Sequence, residues 1–207
     1  MIISLSSCSM PKVNTIDIPS QTQITSQSNT TAQTNSNSSL TASEQAVIEY
    51  IKNSKKIKYV DGLAYINVTF PDFISFLKVS YSEEIEAIEK VKEEQYVKEF
   101  DNGLLLSVRI HEENKMIRSI VINCDEKYSN YDTKKAKEYE KLLTAVATAL
   151  DDTINENDFI QKTRESFKNI KTDEGESFDM NEFIFSTRFN GNTSGMLIMP
   201  RYADYLI

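Results

Sequence analysis

Apolar residues along this chain recur with two different spacings, and the switches between them mark the elements. A helical spacing opens at Thr41, whose separation from Glu44 suits a capping box, and continues through Val47, Tyr50 and Ile51 to about Lys55. Gly62 to Val68 alternates and predicts a strand. Thr69-Phe70-Pro71-Asp72 then has the makings of a helix start, with a capping hydroxyl, a first-turn proline and an acid on the helix dipole. Phe73, Ile74 and Leu77 form its inward face. A second capping-box spacing, Ser80 to Glu83, predicts a charged helix to about Glu94 with Ile85, Ile88 and Val91 inward.

The β pattern is clearest after that. Tyr96 to Phe100 leads into Asp101-Asn102-Gly103, a turn whose residues tolerate positive φ. The next strand places Leu104, Leu106, Val108 and Ile110 on one face and Leu105, Ser107, Arg109 and His111 on the other. Met116 to Cys124 returns as a third strand, and its Ile120-Val121-Ile122 run predicts a central position covered on both faces. Asp132 is the expected cap of a helix to Leu150 with Ala136, Tyr139, Leu143, Val146 and Leu150 as its stripe. A further helix spans about Asn155 to Lys168 and carries Phe159, Ile160, Thr163 and Phe167. Residues 171–180 read as a charged loop. A last hairpin runs from Phe183 through Phe189, turns over Asn190 to Gly195, and returns from Met196 to Tyr202.

This order predicts an α+β domain over residues 41–207: an antiparallel sheet of about five to six strands with helices packed on one face. It also suggests a duplicated helix–helix–hairpin unit. Asp72-Phe73-Ile74 followed by Phe100-Asp101-Asn102-Gly103 matches Asp158-Phe159-Ile160 followed by Phe189-Asn190-Gly191. Two unrelated α+β stretches sharing common residue types is the competing explanation. A domain of about 165 residues buries roughly 70% of its unfolded surface, enough to fold without a metal or disulfide.

Composition narrows the function classes. The 207 residues carry 23 basic and 31 acidic side chains, a net charge of -8, which argues against a nucleic-acid partner. No apolar run reaches the roughly 18–20 residues of a membrane span. Two cysteines and one histidine exclude a disulfide scaffold and a His-rich metal site. The N-terminal region is different in kind. Between residues 20 and 39 all but Ile24 and Ala32 are Ser, Thr, Asn or Gln, and no charge occurs between Asp17 and Glu44. Such a stretch lacks apolar surface to offset its ordering entropy, so residues 9–40 are expected to be a disordered tether.

Ahead of the tether stands Leu5-Ser6-Ser7-Cys8. This motif resembles the lipobox that ends a bacterial lipoprotein signal peptide, leaving residues 1–8 as the remnant of such a signal. The resemblance implies that Cys8 is diacylated, becomes the first residue of the mature protein, and holds the chain at the extracytoplasmic face of the cell membrane. Complete signals carry basic residues and a longer apolar stretch, whereas no basic residue precedes Lys12, so the reading implies a start upstream of Met1. Richness in Ile, Lys and Asn and the absence of Trp are similar to proteins of low-GC Gram-positive bacteria.

Elsewhere the chain offers little chemistry. His111, at a strand end beside Arg109, Glu112 and Glu113, is expected to be solvated rather than a general base. Cys124 is expected to pack as a small apolar residue. Asp151 to Asp158 is acidic, yet an EF-hand loop begun at Asp151 would need Gly and Glu where Glu156 and Lys162 stand, so a helix connection is the better reading. Asn190 to Gly195 lacks the lysine of a phosphate loop. Tyr128, Tyr131, Tyr202 and Tyr205 suit either a partner surface or packing over sheet edges. No catalytic residue, metal ligand or cofactor-binding residue is nominated. The expected function is that of a lipid-anchored, non-catalytic binding module with an envelope or extracellular protein as partner. Two alternatives stand beside it: a cell-wall-acting hydrolase using acidic residues, and a soluble protein of a mobile element in which Cys8 carries no lipid.

Overall fold

The computed structural model describes residues 42–171 and 175–203. The signal remnant, the tether, Cys8, the Thr41 cap and Tyr205 lie outside the described residues. The fold is α+β, built on one antiparallel sheet of nine strands, larger than the five or six the sequence predicts.

Helix α1 (Ala42–Asn53) leads into a hairpin of β1 (Ile57–Val60) and β2 (Leu63–Thr69). Asp61 and Gly62 both have positive φ, so the Asp-Gly pair makes the two-residue turn whose twist suits a hairpin. Thr69 caps α2 (Phe70–Ser80), its hydroxyl accepting from the Asp72 amide, with Pro71 in the first turn. The helix predicted over Ser80 to Glu94 does not form. Ser82 caps a 3-10 turn at Glu83–Ala87, and β3 (Glu89–Lys92) follows and pairs with β4 (Gln95–Glu99). Of the expected stripe Ile85 is buried in the core, but Val91 is 52% exposed. Pairing with the free backbone of β4 prevails over local helical spacing.

Strand β5 (Leu104–Ile110) keeps the predicted faces and ends one residue before His111, and β6 (Met116–Cys124) keeps the predicted bounds. Helix α3 (Lys134–Leu150) is capped by Thr133, one residue later than predicted, and α4 (Glu156–Asn169) by Asn155. Within the predicted loop 171–180 lies β7 (Glu176–Met180), followed by β8 (Phe183–Asn190) and β9 (Thr193–Pro200). The last turn is tighter than expected, because Asn190 already pairs with Thr193.

The strand order is β3-β4-β5-β6-β9-β8-β7, with β2 beside the start of β6 and β1 outside β2. Two three-strand meanders, β4-β5-β6 and β7-β8-β9, therefore meet through their last strands, paired antiparallel from Ile120↔Ile198 to Cys124↔Ser194. Ile120, Ile122, Leu104, Leu106, Phe183, Phe185, Met196 and Ile198 share one buried cluster with Phe73, Leu77, Tyr139, Val146 and Phe159 of the helices. Within it the Tyr139 hydroxyl donates to the Ile122 carbonyl at 3.3 Å, and the Phe159 and Phe185 rings lie 5.1 Å apart. Strand β6 is central in the order, but Ser119, Val121 and Asn123 on its second face are only half-buried, so it is not covered on both faces.

Candidate functional site

The residues that sequence reasoning weighed for chemistry are mostly held by the fold. His111 is half-buried at the end of β5, its ring edge-on to Tyr65 at 5.2 Å, and its backbone closes the turn to Met116. Cys124 is buried and unpaired, and burial raises its thiol pKa.

Asp151, only 4% exposed, is the buried end of the acidic run. Its carboxylate accepts from the Thr153 amide at 3.0 Å, the Thr153 hydroxyl at 2.8 Å and the Asn181 amide at 2.9 Å, and Lys56 Nζ stands 3.1 Å away. Burial pushes its pKa up, but these donors outweigh that and leave it lowered. The carboxylate ties the α3–α4 connection to the β7–β8 turn and to the entry of β1.

A second charged group is anchored between α3 and α4. Arg164 forks onto Glu140, Nε to Oε1 at 2.7 Å and Nη2 to Oε2 at 2.9 Å, and the Tyr128 hydroxyl donates to the same Oε1. Burial, then Glu140, raise the Tyr128 pKa, and the guanidinium also lies 5.1 Å from the Tyr131 ring centroid. Tyr128 and Tyr131 are thus committed inside the domain. Tyr202, half-buried, packs edge-on to Tyr50 at 5.6 Å. Beside Glu140, a groove of about 580 Å³ is lined by Thr144, Glu156, Ile160 and Glu165. Both carboxylates, buried Asp151 and half-buried Glu140, have their oxygens engaged by fixed cationic and hydrogen-bond donors, an arrangement suited to holding elements together rather than to shuttling a proton. Among the described residues no group of three or more His, Cys, Asp or Glu is placed to hold a metal ion, and no helix is long and apolar enough to cross a membrane.

What the strand pairing does assemble is an ordered second face on the sheet. One cross-strand row runs Val97–Ser107–Val121–Leu197–Ser186–Ser177 over six strands. A second runs Glu99–Leu105–Asn123–Gly195–Arg188. On the other side of the first row stand Gln95–Arg109–Ser119 and Met199–Ile184–Asp179. Leu105, Val121, Leu197, Ile184 and Met199 are all half-buried there, while Glu99, Arg109 and Asp179 are exposed. Gly195 is flat for a reason: a Cβ would come 2.7 Å from Asn123 Oδ1, which is buried without a hydrogen-bond partner.

The two meanders present matching chemistry on this face. Leu105, Ser107 and Arg109 recur 79 positions on as Ile184, Ser186 and Arg188, in corresponding strands. By register Phe100, beside Leu104, corresponds to Met180, beside Phe183, and Glu99, opposite Leu105, corresponds to Asp179, opposite Ile184. The pairing of Phe100–Gly103 with Phe189–Gly191 is corrected by the topology. The former turns β4 into β5 and the latter β8 into β9, so they are not equivalent. The signal that would have found the right offset is the Ser-x-Arg shared by the two central strands. No family model, no curated protein and no solved structure matches the chain.

Proposed function

We propose that the protein is a lipid-anchored, non-catalytic binding module displayed at the extracytoplasmic face of the cell membrane. The observation that carries this reading is Leu5-Ser6-Ser7-Cys8 followed by the uncharged polar stretch of residues 20–39. An acylated Cys8 supplies the membrane affinity, aided by whatever second acyl chain the lipid group carries, and the stretch behind it sets the domain away from the bilayer. In this reading the helices cover one face of the sheet and the other is left for a protein partner. It is supported by half-buried aliphatic positions at the centre of that face, with charges toward its margin, the layout of a protein interface. The two helix–meander units descend from one duplicated unit, supported by capped helix starts of the same form, Thr69 with Asp72-Phe73-Ile74 and Asn155 with Asp158-Phe159-Ile160.

Metabolic labelling with radioactive palmitate in the native host tests the anchor. Label is expected on the wild-type chain, with the protein in the membrane fraction, and Cys8→Ala is expected to abolish both. Absence of label, or label that survives Cys8→Ala, rejects the anchor.

A further inference from the structure

We infer that the free edge of β1 is the docking site for residues 13–18 of this same chain, which add there as an outer strand antiparallel to β1. The backbone of the edge has groups to offer. Asn67 donates its amide to the Lys56 carbonyl at 2.8 Å, so Lys56, Lys58 and Val60 turn their backbone groups toward β2 while Ile57 and Tyr59 turn theirs outward. The Ser54 hydroxyl takes the Ile57 amide at 2.7 Å, but among the described residues nothing pairs with the Ile57 carbonyl or with the amide and carbonyl of Tyr59. A groove of about 580 Å³ follows this edge, lined by Lys52, Ser54, Ile57, Lys58, Tyr59 and Asn67. It is basic in a chain of net charge -8. Lys52, Lys55 and Lys58 are exposed and stand in no ion pair among the described residues, whereas Lys56 is held by Asp151. Lysines on a free edge discourage pairing with arbitrary strands. An acid at the matching position turns the same lysines into a register signal.

The occupant is Val13-Asn14-Thr15-Ile16-Asp17-Ile18. The reason for expecting disorder, a lack of apolar surface, applies to residues 20–39 and not here, since Val13, Ile16 and Ile18 fall between Pro11 and Pro19. Asp17 is the only acid in the first 43 residues. Antiparallel pairing of Ile18 with Ile57, Asp17 with Lys58 and Ile16 with Tyr59 puts both isoleucines on the face that holds buried Ile57. It also sets Asp17 beside Lys58 at the closely spaced, non-hydrogen-bonded position. The Ile16 amide and carbonyl meet those of Tyr59 and the Ile18 amide meets the Ile57 carbonyl, which satisfies all three outward groups. Pro19 has no amide to offer and ends the strand. The chain reaches. Between Ile18 and Ala42 lie 23 residues, with a root-mean-square span of about 26 Å, and α1, about 18 Å long, leads from Ala42 to β1. Pairing of so short a strand is reversible. The inference concerns the domain itself and goes beyond the anchor reading; under that reading it gives the domain two distances from the bilayer. Docked, only residues 9–12 separate Cys8 from the strand, about 17 Å at full extension, and released, the whole stretch to Ala42 lies between.

Amide hydrogen exchange of the full 207-residue chain, produced without lipid modification and followed by NMR, tests this at Tyr59, whose outward N–H is protected when a strand pairs with it. The Tyr59 protection factor of the wild-type chain is expected to exceed that of Ile16→Asp by at least about tenfold, with the Ile120 and Ile198 amides of the central strands unchanged. Asp17→Lys is expected to lose most of that protection, and Asp17→Lys/Lys58→Asp to regain it. Equal Tyr59 protection in the wild-type chain and Ile16→Asp overturns the inference, including the case in which another segment, such as residues 204–207, covers the edge in both. Protection untouched by Asp17→Lys, or not restored by the double exchange of charge, overturns it as well. So does protection that rises with protein concentration, which would bring the segment from a second copy. None of these outcomes bears on palmitate labelling at Cys8, so failure of the docking and failure of the anchor are read separately.

Discussion

The two meanders share a backbone plan and differ most where they are buried. On the core side, Leu104, Leu106, Val108 and Ile110 of β5 face Phe183, Phe185, Thr187 and Phe189 of β8 at corresponding positions. The first half packs aliphatic residues. The second builds an aromatic cluster in which Phe178 stacks on Phe185 at 5.2 Å, Phe159 approaches both, and Phe167 meets Phe189 at 5.3 Å. On the other side, Ser107 and Arg109 reappear unchanged as Ser186 and Arg188, and Leu105 as Ile184. Core volume can be exchanged between a strand and the helix packed on it, so interior identities drift as long as the total fits. Of these four polar residues Ser107 is buried and accepts from the Gln95 side chain, Ser186 and Arg188 are half-buried, and Arg109 is exposed.

Cutting the core measures the first difference. Phe185→Ala removes a fully buried ring at the centre of the aromatic cluster and is expected to cost about 3–5 kcal/mol, while Leu106→Ala at the corresponding position costs about 2–4 kcal/mol. Urea midpoints of the two variants report both values, and equal losses would mean that the extra aromatic contacts contribute nothing. A smaller effect belongs to the second half alone. Arg164→Met leaves Glu140, mostly buried, without its fork and is expected to cost about 1–2 kcal/mol, discounted because the guanidinium is partly exposed. A thermal melt that does not move would show that water replaces the arginine fully.

Asp151 gives a pH signature. Its folded pKa lies below the ordinary carboxylate value, so its contribution is complete above about pH 4 and is lost as the pH falls through the lowered folded value. Asp151→Asn is expected to lower stability at pH 7 and to flatten the acid limb of the stability–pH curve. Denaturant titrations from neutral pH down past pH 4 would show an unchanged limb if the carboxylate contributes nothing. The smallest expected effect sharpens the comparison of the open faces. Gly195 corresponds to Ser119 in the other meander, and only the Asn123 amide above it keeps a side chain out. Gly195→Ala is expected to shift that amide and cost less than about 1 kcal/mol, and the Asn123 side-chain amide resonances should move while the core methyl resonances do not.

Legibility followed the strength of each element's own pattern. Strand β5 announced both faces by strict alternation and α3 its inward face by a stripe that buries Tyr139, Leu143 and Val146, whereas the isoleucine run of β6 marked the strand but suggested a cover on its second face that the fold does not supply. Strands β3 and β7 could not announce themselves. Their residues, Glu89-Lys90-Val91-Lys92 and Glu176-Ser177-Phe178-Asp179-Met180, are charged edge segments that become strands because a neighbour offers unpaired backbone. Strand β1 was hidden by its length of four, although Asp61-Gly62 was a readable hairpin turn. The open face was half legible. Alternation already put Leu105, Ser107 and Arg109 together, but the sequence does not say that β6 pairs with β9. Without that pairing the sequence aligns the two halves at non-equivalent turns and hides the Ile184, Ser186 and Arg188 set.

The anchor proposed at Cys8 would decide where the domain is presented, and intact-mass spectrometry of protein recovered from its native host tests it most directly. A polypeptide beginning at Cys8, with fatty acyl mass on that residue and nothing N-terminal to it, is the predicted result. A polypeptide that retains Met1 through Ser7 and carries an unmodified thiol at Cys8 contradicts it.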